Sequence, residues 1–226
     1  GPMTAIYQGA YGQGAGMIVE NGNYPDSILR KVSTEHSTAP IKLLADVVDD
    51  FNRLAAAFHA EMGEPLRPTG GFRCYSGGKH CQVELKCRKG RKASTPGQSQ
   101  HGWGLAFDYD TKGGFNGRFY NWMSSNAHKY NWVHPNWAKP GGSNPEAWHM
   151  EHRNVNSLIT ARKKAGLRPR PTSATAAAAT PDEYPVGTTR TDTDGPGPVG
   201  GGEWVEGRNF VWINKAKGQW KEIPVT

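Results

Sequence analysis

No stretch of this 226-residue chain is apolar for long enough to cross a bilayer, which takes about 20 consecutive residues. From Met3 onward there is also no basic segment leading into an apolar run, so the sequence predicts neither a secretory leader nor a membrane span. Cysteine is scarce: Cys74, Cys81 and Cys87 are an odd count, which excludes a complete set of intrachain disulfides. Only five Met stand beside eight Trp and eight Tyr, so aromatic rings are expected to pack the interior and to face a sugar- or peptide-bearing ligand. Acidic charge is in deficit. The 27 Lys and Arg against 20 Asp and Glu leave +7, which favours an anionic partner without choosing among nucleic acid, anionic membrane and wall polymer.

What is plentiful is glycine and proline, 29 and 16 residues, which predicts long loops in a polar globular chain. Gly1-Pro2 before Met3 reads as a protease scar, so residues 1–3 are set apart. Residues 4–40 read as extended chain and turns. A helix is predicted over 41–62, because Leu44, Val47, Val48, Phe51, Leu54, Ala55, Phe58 and Met62 recur at three- and four-residue steps and Gly63 follows. Short strands are predicted at 66–73, 103–109 and 147–152, helices at 117–129 and 155–165, and over 79–92 a short helix running into a very basic loop. The fold class expected is α+β, a small antiparallel sheet flanked by helices.

This organisation gives one domain over 4–166, then a Pro/Thr/Ala/Gly-rich linker over 167–202 that cannot bury a core. A small β-element over 203–226 carries Trp204, Phe210, Trp212 and Trp220, and is too short to fold securely alone. It is expected to bind walls, to dock on the main domain or to make an assembly contact. The three cysteines, with His80 beside them, leave open a second metal site, a local disulfide with one free thiol, or reduced thiols, the last being the default.

The stretch with most chemistry is S-Q-H-G-W-G-L-A-F-D, Ser99 to Asp108, answered by P-E-A-W-H, Pro145 to His149. Two imidazoles, one carboxylate ligand and a second carboxylate beside them suit a catalytic zinc, which keeps one position open for water. Asp110 rivals Asp108 as the ligand, since both would share one face of a strand. A basic run of Lys86, Arg88, Lys89, Arg91 and Lys92 lies just before this stretch. It is a solvated face or an attractor for an anionic substrate.

These two motifs, with T-G-G-F-R before C-Y-S-G-G-K-H-C-Q, resemble the zinc peptidases of the D-alanyl-D-alanine carboxypeptidase and L-alanyl-D-glutamate endopeptidase family. The block from Asn131 to Glu151 is similar to actinobacterial and phage members, and the resemblance covers roughly residues 22–152. It implies Zn²⁺ held by His101, Asp108 and His149, with Asp108 chosen over Asp110. Glu146 would be the general base, and Arg73 would hold an oxyanion or a substrate carboxylate. Gln82 and Ser99 match cleft-lining positions that bind substrate, and Trp148 would pack beside His149 and orient it. His134 lines the cleft at most, and His152 is structural or a solvated end. Cys74 departs from the family, where Ser is usual.

The resemblance implies a peptidase cutting the stem peptide of bacterial peptidoglycan, with anionic wall polymers as further partners. The economical setting is a bacteriophage lysin made in the host cytoplasm or carried in the virion, acting on the wall. A bacterial carboxypeptidase that trims terminal D-Ala and a wall-binding or virion structural protein with a peptidase-like fold are the alternatives. Nucleic acid binding rests on net charge alone and is not adopted. Nothing in the sequence sets the oligomeric state.

Overall fold

The computed structural model describes residues 1–161 and, beyond them, three strands of backbone. In chain order the strands and α-helices begin with β1 (Thr4–Tyr7), β2 (Met17–Glu20), β3 (Leu29–Lys31), β4 (Lys42–Leu44) and α1 (Val48–Met62). Then come β5 (Pro68–Gly70), α2 (Gln82–Lys89), β6 (Ala106–Tyr109), α3 (Arg118–Asn126), β7 (Trp132–Val133) and β8 (His149–His152). The last are α4 (Val155–Leu158), β9 (Ile159–Ala161), β10 (Thr189–Thr191), β11 (Asn209–Asn214) and β12 (Gln219–Ile223). The chain divides into two compact units, Gly1–Met3 with Asn21–Arg153, and Thr4–Glu20 with Asn154–Thr226.

The first unit is built on an antiparallel sheet of order β5-β6-β8-β7, with α1 and α3 beside it. It is the α+β arrangement expected. α1 buries Val48, Phe51, Leu54, Ala55 and Phe58, the stripe that the three- and four-residue steps predict. Phe51 meets Phe107 of β6 edge to face at 5.0 Å and Trp132 of β7 at 6.4 Å. Two turns later Phe58 meets Phe119 and Trp122 of α3 at 4.9 and 5.4 Å. These are edge-to-face separations that add to plain area burial. Gly63, at φ +75° and donating to His59 O, ends the helix as a left-handed cap.

Several elements differ from the sequence reading. The helix starts at Val48, because Lys42–Leu44 pairs with β3, Leu29 opposite Leu44, before a 3-10 turn over Ala45–Val47. Leu43 and Leu44 are both fully buried, and a short apolar run of this kind does not distinguish strand from helix. Residues 4–40 hold three strands. The predicted closing helix is only Val155–Leu158, after which β9 pairs with β1. The β-branched pair Ile159-Thr160 suits a strand better than a helix.

The second unit holds two sheets, β2-β1-β9 and β10-β11-β12, both antiparallel. Thr189–Thr191 is a strand paired with β11, inside the span expected to be linker. The rest of that span lies outside the described residues. Within 203–226, β11 pairs with β12, Trp212 opposite Trp220, with an irregularity between Trp212 and Asn214. Among the described residues, no helix is long and apolar enough to cross a membrane.

Candidate metal centre

β6 and β8 run antiparallel with Asp108 directly opposite His149. Alternate strand residues share a face, so both side chains leave the sheet opposite to Phe107, which packs on α1. His101 comes from a 3-10 turn, His101–Trp103, that leads into β6 through Gly104 at φ +70°. That turn is why the strand starts three residues later than expected. Gly102 sits against the Asn21 and Gln82 side chains, where a Cβ would overlap both.

Asp108 Oδ1 lies 3.2 Å from His101 Nε2 and 3.1 Å from His149 Nδ1. One ligand atom from each residue lies within 4.8 Å of the others. Four-coordinate zinc with bonds of roughly 2.0–2.1 Å separates neighbouring donors by about 3.3 Å, so the spacing fits. The outer nitrogens fit as well. His101 Nδ1 donates to the Gly71 carbonyl at 2.9 Å, and His149 Nε2 donates to Glu151 Oε2 at 2.9 Å. A carbonyl and a carboxylate only accept here, which leaves the inward nitrogens, Nε2 of His101 and Nδ1 of His149, as lone-pair donors to a metal.

Both imidazoles are 4% exposed. Burial holds His101 below its usual range against the opposing pull of Asp108, the direction that suits a neutral ligand. Burial pulls His149 down too, but Asp108 and Glu151 outweigh it and hold that imidazole up at about 9. Asp108 is raised by burial, yet His101 and His149 more than offset this and keep its carboxyl far below the usual carboxylate range.

Asp110 is the residue that periodicity could not exclude. β6 ends at Tyr109, the Asp110 amide donates to Arg67 O, and its carboxylate accepts from the Lys112 amide at 3.0 Å. It is exposed and closes a turn.

Glu146 stands outside the ligand set and next to it, Oε2 3.9 Å from His149 Nδ1. Asn144 Nδ2 donates to its Oε1 at 3.1 Å, and its own amide donates to Ala138 O. Burial raises the Glu146 carboxyl, with Asp108 adding and His149, Lys89 and Arg73 opposing, and the balance is upward. That direction suits a group that takes and returns a proton near neutral pH. Arg73 Nη2 lies 3.6 Å from Asp108 Oδ2, and the Arg73 amide donates to His101 O.

A cavity of 380 Å³ opens over these groups, lined in part by Arg73, Ser99, His101, Glu146 and His149. Ser99 lines this cavity, its hydroxyl accepting from the His101 amide at 3.1 Å. Gln82 does not. It is 4% exposed, its amide group donates to Asn21 Oδ1 and Arg73 O, and its oxygen accepts from the Gly97 amide. With those atoms committed, Gln82 holds the backbone behind Arg73 and presents none of them to a substrate.

Three further expectations change. Trp148 is 43% exposed and lines the cavity; the ring packed on His149 is Trp137, at 5.0 Å. Cys74 and Cys81 form a disulfide, and Cys87 is free and exposed, so reduced thiols and a second metal site are both set aside. The bridge closes the loop between Arg73 and Gln82. His134 Nδ1 donates to the His149 carbonyl at 2.7 Å, tying down the ligand strand from behind. Glu151 was missed, although it stands two residues after His149 and so shares its face of the strand.

No curated protein sequence matches the chain. Among solved structures it is similar to the LdcB LD-carboxypeptidase, with 23% identity over 58% of this chain and 70% of that one, at TM-score 0.43. It is also similar to VanYB in complex with D-alanine-D-alanine, with 19% identity, 54% and 77% coverage and TM-score 0.40. A third is the vancomycin-resistance D,D-pentapeptidase VanY in complex with Zn(II), with 20% identity, 63% and 89% coverage and TM-score 0.40. A profile of the D-alanyl-D-alanine carboxypeptidase family, VanY, matches residues 40–156, a span that contains the whole ligand set and Glu146. By that match over half its length, the chain belongs to the VanY, D-alanyl-D-alanine carboxypeptidase, family.

Proposed function

We propose that this enzyme hydrolyses an internal amide bond of the peptidoglycan stem peptide, between L-Ala and D-Glu, as a bacteriophage lysin does. One observation supports an internal bond over a terminal one. Arg73, Leu85, Lys89, Asp108 and Trp148 line both the 380 Å³ cavity and a second of 520 Å³, which Phe72, His80 and Tyr109 also line. The second cavity is read as room for further peptide beside the first, which an internal cut needs more than removal of one terminal residue.

His101, Asp108 and His149 would hold a Zn²⁺ ion, which would supply Lewis-acid polarisation and acidify a water near neutral pH. Glu146 takes the proton of the attacking water as the new C–O bond forms, and delivers it to the amine as the C–N bond breaks. Arg73 faces the oxygen on which negative charge develops and stabilises it with charge-assisted hydrogen bonds. Glu151, Gly71 and Trp137 keep the two imidazoles in place, so they need not reorganise during the reaction.

The second reading, removal of a terminal D-Ala, is favoured by the family match and by Arg73 as a grip for a terminal carboxylate. Residues 4–166 are assigned the catalytic role, 167–202 the role of linker, and 203–226 wall binding or assembly. In a lysin these act on the wall from the host cytoplasm or from the virion. Mass spectrometry of muropeptides digested by the zinc-loaded protein decides. Fragments split between L-Ala and D-Glu are expected; loss of a single D-Ala with no internal cut overturns the endopeptidase assignment.

A further inference from the structure

The cavity over the metal centre has a wall that the hydrolytic chemistry leaves unused. α2 ends in Lys86, Arg88 and Lys89 and passes into a 3-10 turn over Gly90–Lys92. Lys89, Arg91 and Lys92 line the same cavity as Glu146 and His149. Among the described residues, none of the three makes a salt bridge. The acids that line this cavity are engaged elsewhere: Asp108 with both histidines and Arg73, Glu151 with His149, Glu146 with Asn144.

This wall is anchored. Lys86 Nζ donates to Ala93 O at 2.7 Å and closes the basic segment on itself. Asn144 Nδ2 donates to Lys92 O at 3.3 Å and also to Glu146 Oε1 at 3.1 Å, so one side-chain amide ties the basic wall to the proton acceptor. Trp137 and Trp148, 36% and 43% exposed, line the cavity as well. A chain lying there meets three cations that form no salt bridge among the described residues, two indole rings and the reacting centre. A solvated charge run would need neither the cavity nor the anchoring.

We propose that Lys89, Arg91 and Lys92 form an anion subsite that takes a free carboxylate of the stem peptide next to the bond being cut. This rests on the peptidase reading above. The stem peptide carries such carboxylates, and a subsite beside the metal meets the peptide before it meets any polymer attached elsewhere on the wall. Cations on a partly exposed wall act on binding and encounter more than on the chemical step, and salt screens them over about 10 Å at 0.1 M.

The test compares two soluble muropeptides, one with the D-Glu α-carboxylate free and one with it amidated, for the wild type and a Lys89→Gln/Arg91→Gln/Lys92→Gln variant. All three side chains are exposed, so the variant is expected to fold. The expected result is a KM on the order of tenfold lower for the free acid in the wild type, with kcat moving far less. That preference disappears in the variant and in high salt. Equal KM for both substrates in the wild type, or a preference that survives in the variant, overturns the subsite. Wild type that cleaves neither substrate overturns the peptidase reading and the subsite with it. A variant defect seen only on walls carrying phosphate polymers, and abolished by stripping them, assigns the anion to phosphate and overturns the carboxylate.

Discussion

β8 carries a buried histidine at each end, and the two behave differently. His149 and His152 are 4% and 2% exposed, and each faces an aspartate, His149 with Asp108 at 3.1 Å and His152 with Asp50 at 2.7 Å. Around His152 the remaining space is closed. Asn131 donates to the same Asp50 oxygen at 3.2 Å, Arg53 pairs with the other, and the Trp132 ring stands edge-on at 5.0 Å. Around His149 a second imidazole approaches, a cavity opens, and a carboxylate waits outside the ligand set. A buried His–Asp pair is therefore not by itself a metal site. A third donor, an open side and a base make it one.

Removing the base tests this contrast hardest. Glu146→Gln keeps the shape and the Asn144 contact but cannot take a proton, so hydrolysis of muropeptides should fall by roughly 10²–10⁴-fold with zinc still bound. Retained activity in that variant would show that Glu146 is a bystander. Glu151→Gln is the next largest. It keeps an acceptor for His149 Nε2 and loses the charge, so zinc affinity, read by chelator competition, should weaken by about 10–100-fold. An unchanged affinity would leave Glu151 with a purely structural part.

The smallest effect belongs to the His152 end. Burial raises the Asp50 carboxyl, but the His152 and Asn131 hydrogen bonds and the His152 and Arg53 charges outweigh it and hold it below its ordinary 3.8. A group depressed in the folded state stabilises above its unfolded value, and this is lost as pH falls through the folded one. Acid unfolding should therefore include a component below pH 3.8 that Asp50→Asn removes. That variant should lose about 1–3 kcal/mol at neutral pH by denaturant titration, with zinc content unchanged. Loss of zinc from Asp50→Asn would mean that the two ends of β8 are not separate.

The His101, Asp108 and His149 cluster was legible because its chemistry is local. His101 and Asp108 lie in one motif and Glu146 and His149 in another, and the β6–β8 register only brings the motifs together. The choice between Asp108 and Asp110 was not legible from alternation, since it turns on where β6 ends. Glu151 could have been found by extending the two-residue period past His149. Trp137 and the Cys74–Cys81 pairing could not, because each depends on how a loop folds back. Gln82 shows the opposite hazard: a motif position expected to meet substrate is spent on Asn21, Gly97 and the Arg73 backbone. The strand pairings of β3 with β4 and β1 with β9 escaped for the same non-local reason, short apolar runs whose partners lie elsewhere in the chain.

Elemental analysis of the purified wild type beside Asp108→Ala tests the metal centre most directly. One zinc per chain in the wild type and none in Asp108→Ala is the expected result. A wild type without stoichiometric metal, or an Asp108→Ala protein that keeps it, would contradict the assignment of His101, Asp108 and His149 as its ligands.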